Sequence, residues 1–328
     1  MSGDGGAVRL FRADRGDAGR RLDRVLVRHL ADVPDLSRTR LQALIAEGRV
    51  RINGVPATRA AGRLTLGDEV EVLLPAPPPA RPAPAAEEIP LDILYEDDWL
   101  IALAKPPGLV VHPTPGHAAG TLLNALLWHL EKEGRGPARP GFVSRLDKGT
   151  SGVLVAAKSG AVHARLARAV RGRRVEKDYL AVVYGDPREA RGRIELGILR
   201  DPADRRRMTA SRTEGRASVT LWEAVGRRDP GDGVSLSLLR CRLLTGRMHQ
   251  IRVHLRAAGL PVVGDPLYGE PRWKGILDPA LAAVCRDLPR QALHARRLAF
   301  AHPMTGEPLE IIAPLPADLC ALLAAAGL

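Results

Sequence analysis

At 328 residues the chain has room for one substantial core and a smaller module, and a hydrophobic content of 45% excludes a largely disordered protein. The formal charge of +12, from 49 Lys and Arg against 37 Asp and Glu, leans towards a polyanionic partner, although a GC-rich genome would give the same arginine excess. No apolar run is long enough for a membrane span, the Gly-rich, acidic N-terminus predicts no signal peptide, and Cys241, Cys285 and Cys320 lie too far apart for zinc or disulfide spacing, so a cytoplasmic protein is expected.

In chain order, residues 1–15 read as a flexible tail and residues 16–74 as a small module. Leu22, Val25, Leu26 and Leu30 fall on one face of a first helix. Ser37 suits the N-cap of a second, with Leu41, Leu44 and Ile45 on its apolar face and Gly48 at its end. Val50 to Val55 predicts strand and turn around Asn53-Gly54, and Glu69 to Val72 alternates like a second strand after the Gly67-Asp68 turn. Arg38 and Arg40 lie opposite the apolar face of the second helix, with Arg49 and Arg51 following. These four can track a phosphate backbone, or simply form a solvated face. Residues 75–86, rich in Pro and Ala, predict an extended spacer before a large domain over residues 87–328.

The large domain opens with a predicted hairpin, Ile93 to Glu96 and Trp99 to Ala104 around an acidic turn. Lys105-Pro106-Pro107-Gly108 breaks the second strand, Thr121 caps a helix carrying Leu122, Leu126, Leu127 and Leu130, and Ser159 caps a basic helix to about Arg171. Lys177 to Tyr184 predicts a further strand, and the arginine-rich run from Arg200 to Gly215 a mobile RNA-binding loop. Between two apolar runs stands the polar turn Arg145-Leu146-Asp147-Lys148-Gly149-Thr150-Ser151-Gly152. A carboxylate flanked by Arg145 and Lys148 suits a nucleophile or base, yet the same residues make a plain loop in which Asp147 accepts backbone hydrogen bonds. The order of a phosphate-binding loop is absent, as is the Gly-x-Ser-x-Gly of a serine hydrolase. His249 and His254 lack the spacing and acidic helper of a metal pair, and no metal is expected.

Two resemblances bear on these alternatives. Arg21-Leu22-Asp23, Ser37 through Gln42 and Gly48 through Gly54 resemble the S4 domain, a compact RNA-binding module. The Asp147 turn resembles the signature of the RluA-type pseudouridine synthases. Further stretches of that family stand in the expected order: Leu100 to Pro113, Gly120 to Leu126, Lys177 to Val183, Leu244 to Leu255, Gly264 to Gly269, Gln291 to Ala295 and Phe300 to Pro303. Ser144 and Ala104 depart from the His and Asn common at their positions, where altered hydrogen bonding with retained activity is expected.

The resemblance implies an α+β fold: a pseudouridine synthase domain with a largely antiparallel mixed sheet, preceded by the small S4 domain. It implies an isomerase that turns a uridine of RNA into its C-glycoside, with no cofactor. Asp147 would be the catalytic carboxylate, Tyr179 the ring that packs on the uracil and Arg252 the cation paired with Asp147, with Arg247 the second choice. Arg145 would fill the space left by a flipped base. His249 and Arg247 join Arg38, Arg40, Arg49 and Arg51 as expected RNA contacts. With only 3% aromatic residues, recognition should rest on phosphates and RNA shape rather than on a stacking platform. Large-subunit ribosomal RNA, met by a cytoplasmic monomer with no membrane attachment, is the expected substrate. The rival readings are an enzyme acting on tRNA and a non-catalytic S4-type RNA-binding or ribosome-assembly factor.

Overall fold

The computed structural model describes residues 7–33, 36–75, 84–114, 116–134, 140–228 and 233–328, which form two compact units divided between residues 82 and 83. In the first unit the strands are β1 (Val8–Arg12), β2 (Val50–Ile52), β3 (Val55–Pro56) and β4 (Glu69–Leu73), and the helices are α1 (Leu22–His29) and α2 (Arg38–Ala46). The strands order β1-β4-β2-β3 in one antiparallel sheet. Asn53 and Gly54 both take positive φ, 50° and 78°, as a two-residue hairpin between β2 and β3 requires. Leu22, Leu26, Leu41 and Leu44 are fully buried against Val70 and Val72, each contributing roughly 1.5–3 kcal/mol of burial. The start of α1 lacks a side-chain cap; its free donors go instead to loop carbonyls, Leu22 N–H to Gly62 O and Asp23 N–H to Ala60 O. At α2 the Ser37 hydroxyl accepts from Arg40 N–H, the expected cap.

The expected tail needs correction. Residues 1–6 lie outside the described residues, but Val8–Arg12 is strand β1, paired with β4 from Val8↔Leu73 to Arg12↔Glu69. The pairing satisfies one edge of β4, and Phe11 stacks on His29 with ring centroids 4.0 Å apart. The expected spacer is likewise shorter than residues 75–86. Residues 76–83 lie outside the described residues, whereas Ala85 O accepts from Asn124 Nδ2 and the Glu87 carboxylate from Gly120 N–H, which ties both to the second unit.

The strands of the second unit are β5 (Ile93–Glu96), β6 (Leu100–Lys105), β7 (Gly141–Phe142), β8 (Ser151–Ala157), β9 (Glu176–Tyr184), β10 (Arg191–Arg200), β11 (Met208–Ser211), β12 (Arg216–Arg228), β13 (Leu236–Leu243), β14 (Leu293–Ala301) and β15 (Pro308–Ile312). They form one sheet in the order β11-β10-β12-β13-β9-β14-β8-β6-β5, with β15 on β14 and β7 on β8. Among the described residues every pairing in it is antiparallel except β14 with β8, so the sheet is mixed and largely antiparallel as expected. Its helices are α3 (Leu122–Lys132), α4 (Gly160–Arg171), α5 (Gln250–Ala257), α6 (Pro279–Asp287) and α7 (Ala317–Ala326). Thr121 and Asn124 close a capping box on α3, and Ser159 caps α4.

The parallel junction places the turn that carries Asp147. His294 pairs with Ser151 and Ala295 with Gly152, where β14 comes so close that a Cβ on Gly152 would stand 2.2 Å from Ala295 O; its φ of +117° also excludes ordinary side chains. The Arg200 to Gly215 run is corrected as well. In place of a mobile loop, β11 pairs with β10 from Arg200↔Met208 to Gly197↔Ser211, making a hairpin arm with Arg205 and Arg206 at its turn.

Candidate active site

Asp147 lies in the turn that leads into β8, and the turn is held by backbone contacts from three directions. Thr150 N–H donates to Asp147 O, Gly108 N–H to Lys148 O at 2.8 Å and Arg290 Nη1 to Gly149 O at 3.2 Å. Gln291 Nε2 donates to Thr150 Oγ1, and Ser151 Oγ meets His294 Nδ1 at 3.0 Å. The Gln291 to Ala295 stretch therefore braces the turn, and no local feature of the sequence shows that role. Lys105 braces it from the other side. Its buried ammonium donates to Pro106 O, Leu109 O and Lys148 O, three acceptors for three protons. Burial pushes Lys105 down to about 7, while these acceptors favour the charged form.

The side chains converge on a cleft of about 660 Å³ lined by Asp147, Arg145, Tyr179, Arg247, His249 and Arg252 among others. Arg252, on the buried face of α5, donates from Nη1 to Asp147 Oδ2 at 2.8 Å. Its other edge donates to Asp265, Nε to Oδ2 at 2.6 Å and Nη2 to Oδ1 at 2.7 Å. Burial works against this guanidinium, but its bonds to Asp265 and then to Asp147 more than offset that, and its pKa stands above the ordinary arginine value. Asp265 is in turn fixed by Leu267 N–H and Tyr268 N–H, so Arg252 cannot swing. One oxygen of Asp147 is thus held, and among the described residues Oδ1 accepts no hydrogen bond.

Tyr179 sits on β9 between Cys241 of β13 and Ala295 of β14, with burial and then the Asp147 charge pushing its hydroxyl upward. Arg145 is exposed at the cleft and has no ion pair among the described residues; Arg247 is exposed too, its backbone N–H held by Gln250 Oε1. His249 caps α5 in a left-handed conformation, φ 57°, with Nε2 3.9 Å from Asp147 Oδ2. His254 is different: wholly buried, with Nδ1 on Thr220 Oγ1, it belongs to the core. Ser144 lines the cleft, while Ala104 is a ladder residue opposite Val153.

The four module arginines lie in the other unit and are not alike. Arg38 is bound to the buried carboxylate of Asp23 at 2.7 Å, Arg40 and Arg49 approach Glu47 at 3.7 and 3.4 Å, and Arg51 is exposed on β2. Among the described residues two carboxylate–histidine groups are compact enough to share a cation, Asp14–Asp17–His29 and Glu96–His129–Glu133. Arg28 already bridges Asp14 and Asp17, and Lys158 bridges Glu96 and Glu133, so each group carries a resident cation of the protein's own.

Comparison with known proteins agrees with this geometry. The RNA pseudouridylate synthase family matches residues 99–257, a span that holds Asp147, Tyr179 and Arg252, and the S4 domain family matches residues 20–70. A ribosomal large subunit pseudouridine synthase D of Xylella fastidiosa is 44% identical over 312 residues, covering 94% of this chain and 90% of that protein. An uncharacterised RNA pseudouridine synthase of Synechocystis is 42% identical over 312 residues, covering 94% and 89%. Among solved structures, human RNA pseudouridylate synthase domain containing 1 aligns with a TM-score of 0.56 at 28% identity, over 73% of this chain and 89% of that one. The chain therefore belongs to the RNA pseudouridine synthase family, an isomerase acting on RNA that carries an S4 domain ahead of its catalytic domain.

Proposed function

We propose that this enzyme isomerises specific uridines of large-subunit ribosomal RNA, with Asp147 as its catalytic carboxylate. The observation that carries the reading is the unequal treatment of the two carboxylate oxygens: Oδ2 is clamped by Arg252, while among the described residues Oδ1 has no donor, in a cleft large enough for a base. In the reaction the bond from N1 to the sugar C1′ breaks, C5 joins C1′, C5 gives up its proton and N1 takes one up. Atoms balance without a co-reactant. The target uridine leaves its stack at a cost of a few kcal/mol, and Arg145, exposed beside Asp147 with no ion pair among the described residues, fills the vacated space. Tyr179 lies against the uracil, and Arg252 orients the carboxylate and neutralises it between turnovers. The ribosomal substrate is supported by relatives named for the large subunit.

The test is a map of pseudouridines across total RNA from cells with the protein, without it, and with Asp147→Asn in its place. Large-subunit sites should vanish in the second and third. Loss confined to tRNA would move the substrate, and sites retained with Asp147→Asn would remove Asp147 from the chemistry.

A further inference from the structure

Tyr268 joins the arm to the residues that surround Asp147. Its hydroxyl lies 2.7 Å from the Met208 peptide nitrogen, where the arginine-bearing arm leaves its turn, and 2.7 Å from His249 Nδ1. Two guanidiniums approach its ring, Arg252 at 5.0 Å and Arg207 at 5.5 Å, and its own N–H donates to Asp265, the residue that anchors Arg252. We propose that Tyr268 and His249 form a clasp that couples the seating of the β10–β11 arm to the Asp147 carboxylate, so that the arm's engagement with RNA governs turnover as well as grip. The proposal rests on the catalytic role proposed for Asp147.

Hydrogen-bond logic fixes the direction of the clasp. A peptide N–H can only donate, so the Tyr268 hydroxyl accepts from Met208, and its single proton is left for His249 Nδ1. With Nδ1 accepting, the neutral ring carries its hydrogen on Nε2, the nitrogen that lies 3.9 Å from Asp147 Oδ2. The clasp therefore points an N–H at the carboxylate edge that Arg252 already holds, and leaves Oδ1 for substrate. Burial lowers His249 from its ordinary value, which favours the neutral ring; Asp147 and Asp265 pull the other way, while Arg252 and Arg145 assist burial. The left-handed backbone of His249 is uncommon for a residue with a Cβ, and it presents the ring to Tyr268 three residues ahead of Arg252. At the other end, Arg205 and Arg206 are exposed at the turn of the arm, next to Arg207 and Met208. A phosphate drawn to the turn acts on the same short segment whose N–H holds Tyr268.

The clasp can be read without any variant. In the full chain free of RNA, the 15N shifts of His249 should report a neutral ring protonated on Nε2; a ring protonated on Nδ1, or a cationic ring at pH 7.5, would overturn the proposal. Tyr268→Phe removes the hydroxyl. Single-turnover rates on a transcript of large-subunit ribosomal RNA should then fall about tenfold or more at saturation, the kinetic equivalent of one lost hydrogen bond, with affinity within about twofold. Met208→Pro deletes the donating peptide hydrogen, on an edge strand where that hydrogen points away from the sheet, and should reproduce the loss; Met208→Ala also loses the side chain but keeps the donor and should lose much less. Saturated rates within twofold of wild type for both Tyr268→Phe and Met208→Pro would overturn the coupling. Failure of the underlying reading looks different, since Asp147→Asn would then stay active whatever His249 reports.

Discussion

Each unit of the molecule buries a saturated aspartate against arginine, and the catalytic unit adds a second, partly exposed one that is treated differently. In the S4 unit, Asp23 is saturated: Oδ1 accepts from Arg21 Nε at 3.1 Å, and Oδ2 from Arg38 Nη2 at 2.7 Å and Gln42 Nε2 at 2.8 Å. Its carboxylate joins the start of α1 to α2 and has nothing left to offer a ligand. In the catalytic unit the saturated acid is Asp265, which takes the Nε–Nη2 edge of Arg252 and two backbone donors. Asp147 receives only the remaining nitrogen of that guanidinium, on one oxygen. Saturation and burial both set Asp147 apart: its side chain is 18% exposed with one oxygen bonded, where those of Asp23 and Asp265 are wholly buried and fully engaged.

The largest effect that could break this comparison is at Asp147. Asp147→Asn should lower single-turnover product formation by about a thousandfold or more while folding and RNA affinity change little, because the amide keeps the shape and loses the charge. Turnover within about tenfold of wild type would reject the assignment. Arg252→Ala comes next and should fail twice. It frees Asp147 from its anchor and leaves Asp265 buried without its cation, a stability cost of about 3–5 kcal/mol. Arg247→Ala, at an exposed residue with no ion pair among those described, should instead weaken RNA binding and leave the melting temperature alone. A larger loss of saturated rate from Arg247→Ala than from Arg252→Ala would reverse their roles.

What could be read in the sequence divides along the same line. The helices and hairpins of both units follow from local signals: Ser37, Thr121 and Ser159 cap where their side chains can reach a backbone N–H, and Asn53-Gly54 turns where both residues tolerate positive φ. The pairing of Asp147 with Arg252 spans 105 positions and has no local signature; only family resemblance brings the two motifs together. Asp265 shows half of its role locally, since an aspartate before proline readily accepts the N–H groups two and three residues on, but nothing nearby names Arg252 as its other partner. Lys105 donates to a backbone carbonyl, and Gln291 to the Thr150 hydroxyl, of a turn far along the chain, and both are legible only as motif letters. The strands at 8–12 and 208–211 escape a local reading for different reasons: the first is ordered by β4, distant in the sequence, while the second, Met-Thr-Ala-Ser, pairs with the strand just before it but is too short to carry a pattern of its own.

A smaller effect sharpens the comparison through pH. The Arg21 guanidinium, ahead of burial and Arg38, sets the Asp23 carboxyl far below the usual aspartate range. A depressed value in the folded state means stabilisation that is complete above the unfolded value near about 4 and is lost as pH falls towards the folded one. Asp23→Asn should therefore weaken the S4 unit by about 1–3 kcal/mol at pH 7, discounted because Arg21 and Arg38 are partly exposed and can be solvated. The gap between wild type and variant should narrow as urea melts are repeated below about pH 4, and a constant gap would show that shape, rather than charge, is what Asp23 supplies.

The smallest expected effect on the chemistry comes from removing the S4 unit altogether. The two units are compact separately, and residues 85 and 87 are tied to the catalytic one, so a chain beginning at Pro84 keeps the bonds of Ala85 with Asn124 and of Glu87 with Gly120. It should fold and retain a saturated rate within a few-fold of the full chain. Affinity should fall, because the module raises the local concentration of RNA at the cleft only while the two are joined. Arg38 is already committed to Asp23, so the phosphate grip that disappears is chiefly that of exposed cations such as Arg51. Each phosphate released in this way lowers the slope of log affinity against log salt by roughly 0.7–0.9. Single-turnover kinetics of both chains across RNA concentration and salt therefore measure that grip directly. Equal affinity and equal slope would mean that the S4 unit does not hold this RNA, whereas a lower slope with an unchanged saturated rate assigns grip to one unit and chemistry to the other.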